Sequence, residues 1–335
     1  MINYALVIGI DDYQHKDLGK LKGAKGDAID IKNWLLESGH VEEENCYYVI
    51  ADNDMGTFRD EIEDEIKKLI CQAKKTISNN NRLYFYFAGH GLGVRIDSTN
   101  NALCLTNWSR EANRAALSSK EYFDIFIRFS LFRQVFFLAD CCRNTRYNAN
   151  PLPPDLNPDA PVGPYKTQSF LAYATQYRAL TLEVMDQQNL IRGIFTRIFL
   201  KGVRGGAVNS EGIITTDSLK KYMKVHVPAE AAKFGFDQDP DMPSNLNDHD
   251  PLFPPIAGPP PVCTVLLTLK PHRQGKISLL DEHTNLVKVF YTGDHTQYEF
   301  RLSQGTYLLI DAERKESTFL DVKQLGHGKP LEFEF

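Results

Sequence analysis

The chain has 335 residues, enough to bury a large core and to hold two domains. Its formal net charge of −5 gives no general attraction to nucleic acid, and no apolar run approaches the roughly 20 residues of a membrane span. The six cysteines are scattered except for the pair Cys141-Cys142, and none has zinc-ligand spacing, so reduced thiols in a cytoplasmic protein are expected.

Ala5–Ile10 is a short apolar run with no basic flank and no small-residue cleavage site. It reads as a first strand, not as a signal peptide. A helix follows, with Ala24, Ala28, Ile31 and Leu35 on one face, Trp34 widening it, and Gly39 as a stop. Tyr47–Ile50 is a second strand. Asp54–Thr57 caps a helix from about Phe58 to Ile77, with Ile62, Ile66, Leu69 and Ile70 facing inward. Leu83–Ala88 is an aromatic strand, Ala102–Leu105 a short extended piece, and Ser118-Ser119-Lys120-Glu121 a capping box for a helix through Phe132. Val135–Ala139 is wholly apolar, as strands buried on both faces are. Phe170–Thr175 is a further strand, and helices are expected over Gly193–Gly202 and Thr216–His226. Strands alternating with helices indicate an α/β fold with a mainly parallel sheet covered on both faces.

Two stretches break this rhythm. Residues 148–166, rich in Pro, Asn and Asp, can be neither helix nor internal strand and read as a long exposed loop. Pro251–Pro261 reads as a semi-rigid linker. Beyond it, Cys263–Leu269, Lys276–Leu280, Val287–Tyr291, Tyr298–Leu302, Thr306–Ile310 and Leu331–Phe335 read as six short strands, with turns at Thr292–Asp294 and Gln304-Gly305. A small β-sandwich over 262–335 is expected, after a first domain over 1–250.

The chemistry gathers at two strand ends. Leu83–Ala88 runs into Gly89-His90-Gly91, and Val135–Ala139 into Asp140-Cys141-Cys142-Arg143. In open α/β sheets, sites form at the carboxyl ends of strands. A thiol attacks as thiolate, and an imidazole within reach can take its proton and later protonate a leaving amine. If these strands are neighbours, His90 and Cys142 can do this. Taken singly, a turn histidine and an inert buried cysteine remain the alternatives.

Tyr-Phe-Ala-Gly-His-Gly at 86–91 and Ala-Asp-Cys-Cys-Arg at 139–143, with Cys142 52 residues after His90, resemble the His-Gly and Asp-x-Cys motifs of caspase-like cysteine peptidases. The likeness is closer to the metacaspase and orthocaspase branch, and by short motifs it spans roughly residues 3–230. It implies a three-layer αβα sandwich, a Cys142–His90 dyad, and an oxyanion hole made by the backbone N–H groups of Gly91 and Cys142. Within this pattern the nucleophile is the second residue after the Asp, which selects Cys142; the alternatives are that Cys141 attacks or that the two are redundant. Metacaspase-like pockets are acidic and take Arg or Lys. The matching residues are Asp27, in Gly23-Ala24-Lys25-Gly26-Asp27-Ala28, and Asp140. Two carboxylates at a pocket floor hold a guanidinium through charge-assisted bonds. The plainer readings are a helix N-terminal acid for Asp27 and a loop-ordering strand end for Asp140.

The resemblance fails in one place. Metacaspases commonly follow the nucleophile with His-Ser-Gly, whereas Arg143-Asn144-Thr145 follows here. Arg143 is either a local ion-pair partner or a cleavable basic site. Arg146 and Lys166 bracket the Pro-rich loop as candidate processing sites, for the enzyme itself or for an upstream activating protease. Some relatives depend on calcium, but no calcium-loop spacing is visible, and no cofactor or metal is expected. The reading is thus a cysteine endopeptidase acting on proteins with exposed Arg or Lys, without nucleic-acid or membrane partners. The alternatives are a caspase-fold protease of other primary specificity and a non-catalytic interaction scaffold.

Overall fold

The structure is a computed structural model that describes residues 2–50, 58–75, 81–156, 163–185, 190–209, 211–253, 262–270, 273, 275–281, 285–291, 296–303, 305–322 and 330–335. Several expected features lie outside these residues: the cap at Asp54–Thr57, the end of the helix at Ile77, most of the linker, the turns at Thr292–Asp294 and Gln304, and 157–162 of the Pro-rich loop. The chain divides into two compact units, Met1–Leu200 with Lys224–Leu246, and Lys201–Met223 with Asn247–Phe335. Among the described residues, no helix is long and apolar enough to cross a membrane.

The elements run β1 (Tyr4–Gly9), α1 (Ala24–Glu37), β2 (Cys46–Ile50), α2 (Arg59–Lys75), β3 (Arg82–Ala88), β4 (Gly91–Val94), β5 (Asp97–Cys104), β6 (Ala116–Ser118), α3 (Ser119–Phe129), β7 (Gln134–Asp140), β8 (Gln168–Tyr173), β9 (Glu183–Met185), β10 (Ile191–Gly193), α4 (Ile194–Lys201) and α5 (Thr216–Ala232). Five strands form one parallel sheet in the order β2-β1-β3-β7-β8.

Strand alternation sorts the two faces. Leu83, Phe85 and Phe87 of β3 and Val135, Phe137 and Ala139 of β7 share one core with Ile62, Ile66 and Leu69 of α2 and Tyr122, Ile125 and Phe126 of α3. Tyr84 turns to the other face, where Trp34 of α1 meets its ring edge-on at 6.2 Å and that of Phe199 in α4 at 5.7 Å. The result is a three-layer αβα fold. By the same alternation Asp140, in step with Phe136 and Leu138, points to the α1/α4 side. Cys141 falls back into the α2/α3 core.

The capping box forms, with Ser118 accepting the Glu121 N–H, but α3 stops short of Phe132. Ser130 takes the left-handed conformation (φ 52°), and Leu131 and Phe132 turn into the core. α5 runs beyond the expected His226 to Ala232, with Pro228 inside it. The Pro-rich loop is less free than its composition suggests. Ala149 is buried, and Leu152 is tied to the edge strand β6 through Leu152 N–H to Ala116 O and Ser118 N–H to Leu152 O. The apolar residues between the prolines anchor it.

In the second unit, two sheets cover one core. β14 (Gln297–Ser303), β11 (Val262–Thr268) and β17 (Leu331–Glu334) form one, and β13 (Leu286–Tyr291), β12 (Lys276–Leu280), β15 (Gly305–Asp311) and β16 (Glu316–Val322) the other. Val265, Leu267, Ile277, Leu279, Leu309 and Leu320 are fully or almost fully buried between them. β16 was not expected: its Glu-Ser-Thr opening hides the later Leu320 and Val322 that pack inward.

Candidate active site

β3 and β7 are neighbours in register, Ala88 opposite Asp140. His90 and Cys142 each lie two residues beyond this pair, on strands about 4.8 Å apart. Gly89 N–H bonds Asp140 O at 3.3 Å, carrying the pairing past the strand ends. Gly91 sits hard against the cysteines. A Cβ there would lie 2.5 Å from Cys142 O and 2.6 Å from Cys141 Sγ, so only glycine fits after the histidine.

The imidazole is fixed from two sides. Its Nε2 is 2.7 Å from Gly19 O. A carbonyl only accepts, so Nε2 carries the proton and Nδ1 is left as the base. Tyr13 packs its ring 4.7 Å from that of His90 and accepts the His90 backbone N–H at 2.7 Å. Tyr13 is buried in the core, and no local motif marks it for this role. Burial pushes the His90 pKa down, against the Gly19 bond.

Cys142 is half-buried. Its Sγ receives the Thr181 N–H at 3.3 Å and lies 3.5 Å from Thr181 Oγ1. The loop carrying Thr181 is held by two bonds to Arg143: Arg143 N–H to Ala179 O and Arg178 N–H to Arg143 O, each 2.9 Å. Burial pushes the Cys142 thiol up, and the Thr181 donors oppose it. Burial thus favours the neutral form of both groups, the Cys142 thiol and the His90 imidazole.

Asp27 and Asp140 come together. Gly193 of β10 lies over both: a Cβ there would run into Asp140 Oδ2 and lie 2.9 Å from Asp27 Oδ2. Gly193 N–H donates to Asp27 Oδ2 at 2.8 Å. Thr196 donates its N–H (3.1 Å) and hydroxyl (2.7 Å) to Asp140 Oδ2. Asp27 Oδ1 is buried with no hydrogen-bond partner among the described residues. Burial raises both acids. Asp140 is pushed up to about 6, and Asp27 is raised further by Asp140's charge. Two buried carboxylates facing one small space are costly unless a cation enters.

Glu183, opposite Gly193 in the β9/β10 hairpin, brings a third carboxylate. No motif marks it; only the hairpin register reveals its place. Arg143 is 2% exposed, paired with Asp241 at 2.8 Å and stacked 4.3 Å over Tyr173. It is a local ion-pair partner, and its burial rules out cleavage there in the folded chain. Arg146 and Lys166 are exposed.

A parallel αβα sheet with histidine and cysteine at adjacent strand ends defines a caspase-like peptidase fold. The chain belongs to the caspase domain family, which matches residues 2–247. A probable protease of a Desulfuromonadales bacterium is 31% identical over 226 residues, covering 61% of this chain and 26% of its own length. The chain thus spans about a quarter of that relative. Solved structures similar to this chain include a protein of Geobacter sulfurreducens (17% identity, 73% of this chain, 93% of that one, TM-score 0.45) and caspase-1 from Spodoptera frugiperda (11% identity, 72% and 86%, TM-score 0.42).

Proposed function

We propose that the chain is a cysteine endopeptidase of the metacaspase and orthocaspase type that cleaves proteins after Arg or Lys. The observation that carries the reading is the pair of buried acids, Asp27 and Asp140, at the strand end that presents the Cys142 thiol beside His90. His90 Nδ1 takes the thiol proton as Cys142 Sγ attacks the scissile carbonyl carbon. The oxyanion accepts N–H bonds from Gly91 and Cys142. The intermediate collapses to a thioester as His90 protonates the leaving amine. Water, deprotonated by His90, then releases the acid product. Asp27 Oδ1 and the Asp140 carboxylate hold the basic side chain.

Residues 1–250 act as the peptidase domain, and 262–335 as a small β-sandwich that recruits or stabilises. Cutting at Arg146 or Lys166, by the enzyme or by an upstream protease, activates a cytoplasmic zymogen in a defence or cell-death cascade. The Lys166 side chain is exposed, but Tyr165 N–H to Ser130 O and Thr167 hydroxyl to Phe132 O tie down its neighbours, so cleavage there requires local opening of these anchors.

The test is hydrolysis of fluorogenic peptides ending in Arg, Lys or Asp, by the intact chain and after limited trypsin treatment. Cleavage after Arg or Lys that rises on nicking is expected. Cleavage after Asp overturns the pocket, and an Arg146→Ala, Lys166→Ala double variant that works at full rate without nicking overturns the zymogen. No cleavage and no labelling by a thiol-directed peptide inhibitor leaves the scaffold reading.

Tyr13→Phe removes the acceptor of the His90 N–H. A lost hydrogen bond of about 1 kcal/mol corresponds to roughly a fivefold to tenfold fall in kcat, with KM little changed. An unchanged kcat would show that His90 is held without Tyr13.

A further inference from the structure

We propose that Arg192 is a tethered cation that competes with substrate for the Asp27 carboxylate, and that Asp30 holds it back. The inference rests on the reading of Asp27 and Asp140 as a cation pocket, and adds how entry to that pocket is tuned.

The arginine stands where the β9/β10 hairpin crosses α1. It is the residue of β10 just before Gly193, whose N–H donates to Asp27 Oδ2 at 2.8 Å. Its guanidinium lies across the first turn of α1 at Gly26. A Cβ on Gly26 would run into Arg192 Nη1 and Cζ, so glycine leaves that seat open. Nη1 donates to Ile191 O at 2.8 Å, and Nε to Asp30 Oδ2 at 2.6 Å. From there Nε is 3.9 Å from Asp27 Oδ1, about 1 Å longer than a charge-assisted hydrogen bond. That oxygen is buried and has no hydrogen-bond partner among the described residues. Asp27 and Asp30 are three positions apart on α1, so they are neighbours on its surface. A small swing of one side chain carries the guanidinium from one acid to the other.

Solvation decides which acid holds it. The Asp30 side chain is 38% exposed and that of Asp27 3%. Pairing at Asp30 leaves both charges partly in water, whereas pairing at Asp27 strips the guanidinium further. Arg192 therefore rests on Asp30. A substrate cation enters against this like charge. Weakening Asp30 sends Arg192 toward Asp27 Oδ1, where it takes the substrate's place.

The competing role is mechanical: Arg192 ties the hairpin to α1 and does nothing to the pocket. The two roles differ in sign. They are separated by kcat and KM on Arg-ending fluorogenic peptides for wild type, Arg192→Gln, Asp30→Asn and the double variant. Arg192→Gln is expected to lower KM about threefold. Asp30→Asn is expected to raise KM about tenfold. The double variant is expected to match Arg192→Gln, because Asp30 acts through the arginine. A KM that rises in Arg192→Gln is the mechanical outcome and overturns the inference, as does an unchanged KM in either single variant. A double variant that keeps the tenfold rise shows Asp30 acting by its own charge, and overturns it too. Should Arg192→Gln not fold, Arg192→Met, which keeps the apolar stem, must show the same fall. Asp30→Ser stands in for Asp30→Asn by the same rule. Cleavage after Arg or Lys with KM unmoved by these changes removes this inference alone. A wild type that cleaves after neither residue removes the pocket reading, and this inference with it.

Discussion

Cys142→Ala is expected to abolish peptide hydrolysis, a loss of about 10⁴-fold or more in kcat, because removing the nucleophile leaves only binding and oxyanion contributions. Cys141→Ala is expected to keep most of the activity. The two thiols are adjacent in sequence but differ in setting: Cys141 lies in the α2/α3 core and Cys142 against Thr181. Cys141 is 1% exposed among Ala139, Leu103 and Phe85 and accepts Asn101 Nδ2–H at 3.1 Å. Burial pushes its thiol well above the ordinary range. Cys142 stands at the open end, with Thr181 donors on its sulfur. Truncating Cys141 therefore costs packing, about 1–2 kcal/mol of stability, and leaves the attacking group in place. Labelling with a thiol-directed peptide inhibitor, followed by mass mapping, locates the modified residue. Activity that survives Cys142→Ala and disappears in Cys141→Ala would reverse the assignment. The resting thiol is raised and the imidazole lowered, so alkylation by a small neutral reagent is expected to be slow at pH 7 and to rise steadily toward alkaline pH.

The central sheet was legible because parallel strands buried on both faces leave unbroken apolar runs, as at Leu83–Ala88 and Val135–Ala139. Their ends were legible for the same reason: His90 and Asp140–Arg143 interrupt those runs abruptly. What stayed hidden has no local pattern. β9 and β10 are three residues each, too short for alternation to register, yet they carry Glu183 and Gly193 to the acids. Tyr13 reaches His90 across 77 positions of sequence, and Arg143 reaches Asp241 across 98. Such partners are chosen by the sheet order, which no window along the chain contains. The Pro-rich loop was legible as neither helix nor internal strand. That Leu152 ties it to β6 and Ala149 packs into the core follows from a few apolar residues whose partners lie elsewhere in the sequence.

Asp140→Asn is expected to weaken cleavage after Arg by about 10²–10³-fold in kcat/KM, the cost of removing one charge of a buried pair, while making the chain more stable at neutral pH. The side chain is isosteric, and its Oδ1 can still accept the Thr196 N–H and hydroxyl that now reach Asp140 Oδ2. Only the charge is lost. In the folded chain Asp140 is pushed up to about 6 by burial, from an ordinary value of 3.8. Between these values the folded state binds more protons than the unfolded one. Wild-type stability therefore falls as pH rises through this window, and the full cost, about 3 kcal/mol, is present above pH 6. Asp27, raised by its own burial and by Asp140, adds to the same slope. The variant lacks the Asp140 part, so its melting temperature should exceed that of wild type at pH 7–8 and the two should converge near pH 4. Activity moves the other way: wild-type kcat/KM on Arg peptides should fall as the pH drops through about 6, where the acid that binds the cation is neutralised. If Asp140 only orders the strand end, Asp140→Asn would instead melt lower at every pH and lose activity equally on all substrates. A bound cation offsets the cost of the buried acids, so an Arg-ending peptide aldehyde should raise the melting temperature of wild type much more than that of the variant.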